Sequence, residues 1–275
     1  MRKIEINELR SIMLNLLQEV DRYCKENNIQ YFLDSGTLLG AIRHQGFIPW
    51  DDDMDICMPR PDYERFLAEV KQKRIANYID IYQAEDGLFP YIKIVDTRTE
   101  LIEYPDTLRL KLGAYIDVFP KDGIPDDKKK AERLCRRAKF YSYWYWFNRY
   151  SVKVWKEQGS VLKRIVAAMV SPFCEDKLFP LKKCVSLAKT YDYNSCHYMA
   201  TIVAGGMHNC VPKDCFSYSI PVQVEGHDFP APVGYDQYLR TLYSHINHGD
   251  YMTLPPEHQK ILHSIEIYWK DGYGE

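Results

Sequence analysis

Apolar residues at Ile6, Leu9, Met13, Leu16, Val20 and Tyr23 recur in alternating steps of three and four. That is the spacing of one helix face, and it predicts a helix over about residues 5 to 27. Asn27-Asn28 ends it, and Gln30-Tyr-Phe-Leu33 reads as a short strand. Asp34-Ser-Gly-Thr37 supplies turn and N-cap chemistry ahead of a short helix over Leu38 to Arg43. Met54-Asp-Ile-Cys-Met58 reads as the next strand, and Arg60-Pro-Asp62 opens a helix to about Arg74 with Tyr63, Phe66, Leu67 and Val70 inward. Alternation then dominates, predicting strands over Tyr78–Tyr82, Tyr91–Val95, Glu100–Glu103 and Ala114–Phe119. From about Asp126 the pattern turns helical and charged, then strongly aromatic in Phe140-Tyr-Ser-Tyr-Trp-Tyr-Trp-Phe147.

The pattern predicts helices and strands together in the first half of the chain, with an added helical subdomain after them. The expected division is a core over 1–125 and a mainly helical region over 126–275. A chain of 275 residues, 46% hydrophobic and 27% charged, is ample for a real core. A net charge of -2 gives no global reason to expect nucleic acid. No apolar run approaches a membrane span, and the N-terminus lacks a continuous apolar signal region, so a cytoplasmic protein is expected. The 8 cysteines include no Cys-x-x-Cys pair and read as reduced thiols. Cys196, His208, Cys210 and Cys215 match no common zinc spacing, and core packing is the favoured reading for them.

The chemistry concentrates in Gly46-Phe-Ile-Pro-Trp-Asp-Asp-Asp-Met-Asp-Ile56, where four carboxylates fall within five residues. Such crowding raises carboxylate pKa values unless a cation neutralises it. If the strand extends back to Trp50, alternation places Asp51, Asp53 and Asp55 on one face and turns Asp52 away. Asp53 and Asp55 are then a candidate oxygen pair for Mg²⁺ or Mn²⁺. The Ser35-Gly36-Thr37 turn, opening a helix, suits a phosphate, and the two halves together favour phosphoryl transfer. Asp117, the single polar residue in Tyr115-Ile-Asp-Val-Phe119, is the candidate third metal ligand and general base, against pairing with a basic side chain. Lys93 is either a phosphate-neutralising lysine or an edge-strand lysine, and Arg43 and His44 are further cationic candidates.

The 25-residue stretch from Phe32 to Ile56, FLDSGTLLGAIRHQGFIPWDDDMDI, closely resembles the signature of the LicD family. That family lies in the nucleotidyltransferase-fold superfamily and is related to the fukutin-type ribitol-phosphate transferases. Ala114-Tyr-Ile-Asp-Val-Phe-Pro120, Asp122-Gly-Ile-Pro125, and Gly249-Asp-Tyr-Met-Thr-Leu-Pro-Pro256 with His263 agree with it, while 126–220 is weakly covered. The resemblance implies an α+β fold, a nucleotidyltransferase-like mixed sheet flanked by helices that forms the catalytic core. Ser35, Gly36, Thr37, Arg43 and Lys93 would bind donor phosphate or nucleotide. Asp53, Asp55 and Asp117 would be the metal ligands and catalytic residues, with Asp117 the base.

The implied reaction moves phosphocholine, or a similar alcohol phosphate, from CDP-choline or another CDP-alcohol. The acceptor is a glycan hydroxyl of teichoic acid, lipopolysaccharide or a capsule precursor, lipid-linked in one version. One departure is His248, where the family commonly has Tyr before the Gly-Asp-Tyr-Met sequence. A metal-dependent glycosyltransferase is the main rival, since it too uses Asp-x-Asp, and a non-catalytic scaffold is the weaker one. For the aromatic and basic segment Arg133 to Trp155, core packing is favoured over peripheral contact with the inner face of the membrane.

Overall fold

The computed structural model describes residues 1–86, 89–103, 112–148, 152, 155–156, 160–170, 172, 178–204, 206–244, 250–253 and 265–274. Within these lie seven α-helices and twelve strands. The first half runs β1 (Arg2–Lys3), α1 (Ile6–Glu26), β2 (Phe32–Leu33), α2 (Ser35–His44), β3 (Asp55–Pro59), α3 (Arg60–Gln72), β4 (Ile79–Tyr82), β5 (Ile92–Asp96), β6 (Thr99–Glu103) and β7 (Tyr115–Ile124). The second half adds α4 (Lys128–Trp146), α5 (Val161–Val170), α6 (Leu178–Ala188), β8 (Tyr198–Ala200), β9 (Val211–Pro212), β10 (Ser219–Val224), β11 (His227–Pro232), α7 (Tyr235–Leu242) and β12 (Ile265–Trp269).

The central sheet has the order β2-β3-β7-β5-β4, with β8 also paired to β7 and β9 to β8. β3 and β7 run parallel; the other pairs in this sheet are antiparallel. It is therefore a mixed α+β sheet with flanking helices, as the family resemblance implies. Ile56, Ile92, Ile94, Ile116 and Val118 are fully buried, as are Leu16, Leu17 and Val20 of α1. This apolar layer is the core that holds the strands at fixed register. β12 pairs with β6 and β1, so the C-terminal strand returns to the first half of the chain.

Three differences from the sequence reading have local causes. α2 begins at Ser35 rather than Leu38, because Asp34 serves as N-cap and its carboxylate accepts from Ser35 N at 2.9 Å. β3 begins at Asp55, so residues 51–54 are not strand, and the extension back to Trp50 does not form. Arg10 of α1 holds that segment instead, donating from Nη2 to the carbonyls of Ile48, Pro49 and Asp51 at 2.8–3.0 Å. Finally, β7 continues through Pro120 to Ile124, five residues beyond the expected end at Phe119.

Candidate active site

Strand register puts the charged residues in one lateral row. Asp34 N donates to Asp55 O at 3.0 Å, Asp55 is the parallel partner of Asp117, and Asp117 is the antiparallel partner of Lys93. Partners in register point to the same face. The start of β3 is fixed from three sides. Asp55 N donates to Thr37 Oγ1 at 2.7 Å, Asp55 O accepts from Asp34 N, and Asp117 N donates to Met54 O at 2.9 Å. Thr37 is thus tied to the backbone of a candidate metal ligand.

Lys93 Nζ donates to Asp117 Oδ1 at 2.6 Å, with both side chains buried. The ammonium also lies 3.4 Å from the centroid of the Tyr115 ring and 4.7 Å from that of Phe89, contacts that favour a cation away from water. The sheet therefore gives Asp117 the basic partner that the sequence left as one of two readings. Burial raises the Asp117 carboxyl to about 6, with Lys93 opposing the rise and Asp53 adding to it.

The neighbouring acids are crowded. Burial, then Asp53 and Asp117, push Asp55 well above the usual carboxylate range. Asp51 is raised to about 8, by burial first, then by the charge of Asp53 and a hydrogen bond shared with it. Asp51 also sits over Gly36: a Cβ on that glycine would meet Asp51 Oδ2 at 2.7 Å. Ser35, just before, has a φ of 47°, an uncommon left-handed conformation for a serine. Asp52 turns elsewhere, lining a separate cavity with Lys3, Ile4 and Leu9. The expected grouping of Asp51 with Asp53 and Asp55 is thus reached, but through a loop held by Arg10 rather than through strand alternation.

These acids form an all-oxygen set whose charges the nearby lysine does not balance, since Lys93 is engaged with Asp117. That chemistry fits a hard divalent cation. Among the described residues, no three His, Cys, Asp or Glu side chains converge as a preformed metal shell. Mg²⁺ does not require one, because it typically binds through one or two carboxylates, water and substrate phosphates. Asp53 and Asp55 could hold it in that way.

The sequence reading missed a buried network beside this row. Lys121 Nζ donates to Asp34 Oδ2 at 2.8 Å, to Tyr238 OH at 2.8 Å and to Thr201 Oγ1 at 3.0 Å. Tyr238 OH in turn donates to Asp34 Oδ1. The network ties the N-cap of α2 to β7 and α7, fixing the glycine turn against the sheet. Its one sequence signal is the lysine shortly after Asp117, which lies beyond the expected end of the strand at Phe119. Tyr243, C-cap of α7, was also missed: burial and the charges of Asp55, Asp51, Asp34 and Asp53 raise its phenol.

Arg43 lies in the last turn of α2 and donates from Nη1 to Tyr251 O at 3.2 Å, with burial lowering its pKa. Burial, with Arg43 beside it, lowers the adjacent His44. Of the C-terminal motif, 250–253 are described; His248, Gly249, 254–256 and His263 lie outside the described residues. The described cysteines are free, with Cys196 and Cys215 buried.

Residues 28–122 match the LicD/FKTN/FKRP nucleotidyltransferase domain family. Over 276 aligned positions, 97% of this chain and 98% of its relative, the sequence is 31% identical to the lipopolysaccharide cholinephosphotransferase LicD of Haemophilus influenzae. An uncharacterized protein of Rickettsia prowazekii is 43% identical over 166 residues, 51% of this chain and 62% of that one. Human ribitol 5-phosphate transferase FKRP is 27% identical over 115 residues, 40% of this chain and 22% of that one.

Proposed function

The chain belongs to the LicD family of transferases, and on that premise we propose that it moves phosphocholine from CDP-choline to a hydroxyl of a cell-surface glycan, releasing CMP. The row Asp55–Asp117–Lys93, with Asp53 and Asp51 beside it, carries the reading. The near-full-length likeness to a lipopolysaccharide cholinephosphotransferase supports choline as the alcohol and lipopolysaccharide as the acceptor class. Another CDP-alcohol or a teichoic acid acceptor is a variant of the same chemistry.

In this reading Asp53 and Asp55 would hold Mg²⁺ or Mn²⁺, which supplies positive charge for the donor pyrophosphate when bound. The chain's own groups do the rest. Ser35, Gly36 and Thr37, in the first turn of α2, offer the positive end of the helix dipole to donor phosphate. Asp117 takes the proton of the acceptor hydroxyl as its oxygen attacks the phosphorus that bears choline. A new oxygen–phosphorus bond forms, the pyrophosphate bond breaks, and CMP leaves with the bridging oxygen. Lys93 holds Asp117 in place and keeps its pKa low enough for a base near neutral pH. Arg43 adds positive charge from the far end of α2.

Incubating the purified protein with Mg²⁺, a glycan acceptor and either CDP-choline or UDP-sugars tests the proposal. CMP release from CDP-choline, dependent on acceptor, is expected. UDP release from a UDP-sugar without CMP release would make the protein a glycosyltransferase.

A further inference from the structure

α5 carries its apolar side chains outward. Val161, Leu162, Ile165 and Met169 are each at least half exposed, while Ala167, on the opposite side, packs with Val152, Phe147 and Trp155. Spacings of one, three and four residues put the four exposed side chains on one stripe of the helix. On α4, whose C-cap Phe147 packs with the α5 cluster, Phe140 and Tyr143 are also exposed, and Phe140 joins a ring cluster with Tyr141, Trp144 and Phe179 of α6. Soluble surfaces rarely gather large apolar side chains in this way without a partner.

The charge of the same region selects the partner. Residues 128–189 contain sixteen Lys or Arg and four Asp or Glu, whereas the whole chain has 36 and 38. Lys163 and Arg164 lie within α5 itself, both exposed. We propose that this face docks on an anionic lipid bilayer, with α5 lying in the headgroup layer. A helix of ten residues is about 15 Å long, too short to cross a bilayer, so it lies in the plane. Basic residues draw the face to anionic headgroups, and the apolar stripe anchors it. A second copy is a poorer occupant, because a two-fold contact would press two strongly basic surfaces together.

The proposal uses none of the residues of the catalytic row, so it stands or falls independently of the phosphotransfer reading. It is tested by cosedimentation with vesicles of phosphatidylcholine alone or mixed with phosphatidylglycerol. The full chain should bind the mixed vesicles at least about tenfold better, and added salt should weaken binding. Leu162→Glu/Ile165→Glu and, separately, Lys163→Glu/Arg164→Glu should each lower binding about tenfold or more, with circular dichroism and CMP release from a soluble acceptor unchanged. In the unmodified protein, brominated phosphatidylglycerol should quench tryptophan fluorescence. No binding to anionic vesicles, or binding indifferent to both double substitutions, would overturn the proposal. So would a dimer, seen by light scattering, that the Leu162→Glu/Ile165→Glu change splits while vesicle binding is absent.

Discussion

Lys93 and Asp117 are paired twice over, by antiparallel register and by a 2.6 Å contact between Nζ and Oδ1. The register makes the contact unavoidable once β5 lies beside β7, and the apolar layer fixes that register. Lys93→Met should therefore act through Asp117. Losing the partner removes the influence that lowers this carboxyl from its raised value, about 6. An Asp117 that must be ionised to work gives activity that rises with pH through about 6. In Lys93→Met that acidic limb should move to higher pH, and below it the rate should fall about tenfold for every pH unit. The measurement is the pH profile of kcat/KM; an unmoved limb would show that Asp117 is not the titrating base. Stability should drop by roughly 3–5 kcal/mol, the usual cost of breaking a buried pair.

Asp53→Asn and Asp55→Asn should each lower transfer by at least about 10²-fold. Stability should move the other way for Asp55. Its folded pKa lies above the unfolded one, so the folded state holds the extra proton and stability falls as pH rises through the interval between them. Asparagine removes that dependence. Without metal, Asp55→Asn should have the higher Tm at about pH 8, and the gap should close toward about pH 4. Adding Mg²⁺ should raise the wild-type Tm more than that of the variant, by ligand linkage.

Gly36→Ala separates helix propensity from site geometry. Alanine favours the first turn of α2 by up to about 1 kcal/mol. Its Cβ would fall 2.7 Å from Asp51 Oδ2 and displace that carboxylate. The expected protein is folded, with an unchanged or slightly altered Tm, and its transfer activity falls at least about tenfold. Wild-type activity would show that the close approach of Asp51 to the turn is dispensable.

Tyr238→Phe removes a hydroxyl that donates to Asp34 and accepts from Lys121. The two charged partners remain buried, so the cost should be about 1–3 kcal/mol, read as a lower midpoint in urea unfolding. Because Asp34 caps α2, the glycine turn should loosen as well, raising KM for the CDP-alcohol more than it lowers kcat. A change in stability with identical kinetics would confine the network to a structural role.

Local patterning carried the first half of the chain. α1 is observed at Ile6–Glu26 and α3 at Arg60–Gln72, close to their expected spans, because amphipathic spacing needs no distant partner to be read. β4, β5 and β6 likewise begin or end within a residue or two of their expected limits. The acidic cluster and the glycine turn were visible as unusual concentrations of chemistry, and the long Phe32–Ile56 match tied them to one family.

What one segment does to another was not legible. Lys121 falls outside the expected strand, and it becomes the hub between Asp34, Thr201 and Tyr238 only when β7 runs on and α7 folds over it. Arg10 sits on a helix roughly forty residues before the loop whose carbonyls it holds. β8, whose three residues pair with β7, is too short to show an alternation of its own.

The sequence by itself therefore determined the elements, the family and the cluster of acids, since each follows from residues adjacent in the chain. Only the tertiary structure decided which acid meets which base. Register brings Asp55, Asp117 and Lys93, from three separate strands, into one row, and the burial of Asp117 and Lys93 there makes the charges matter.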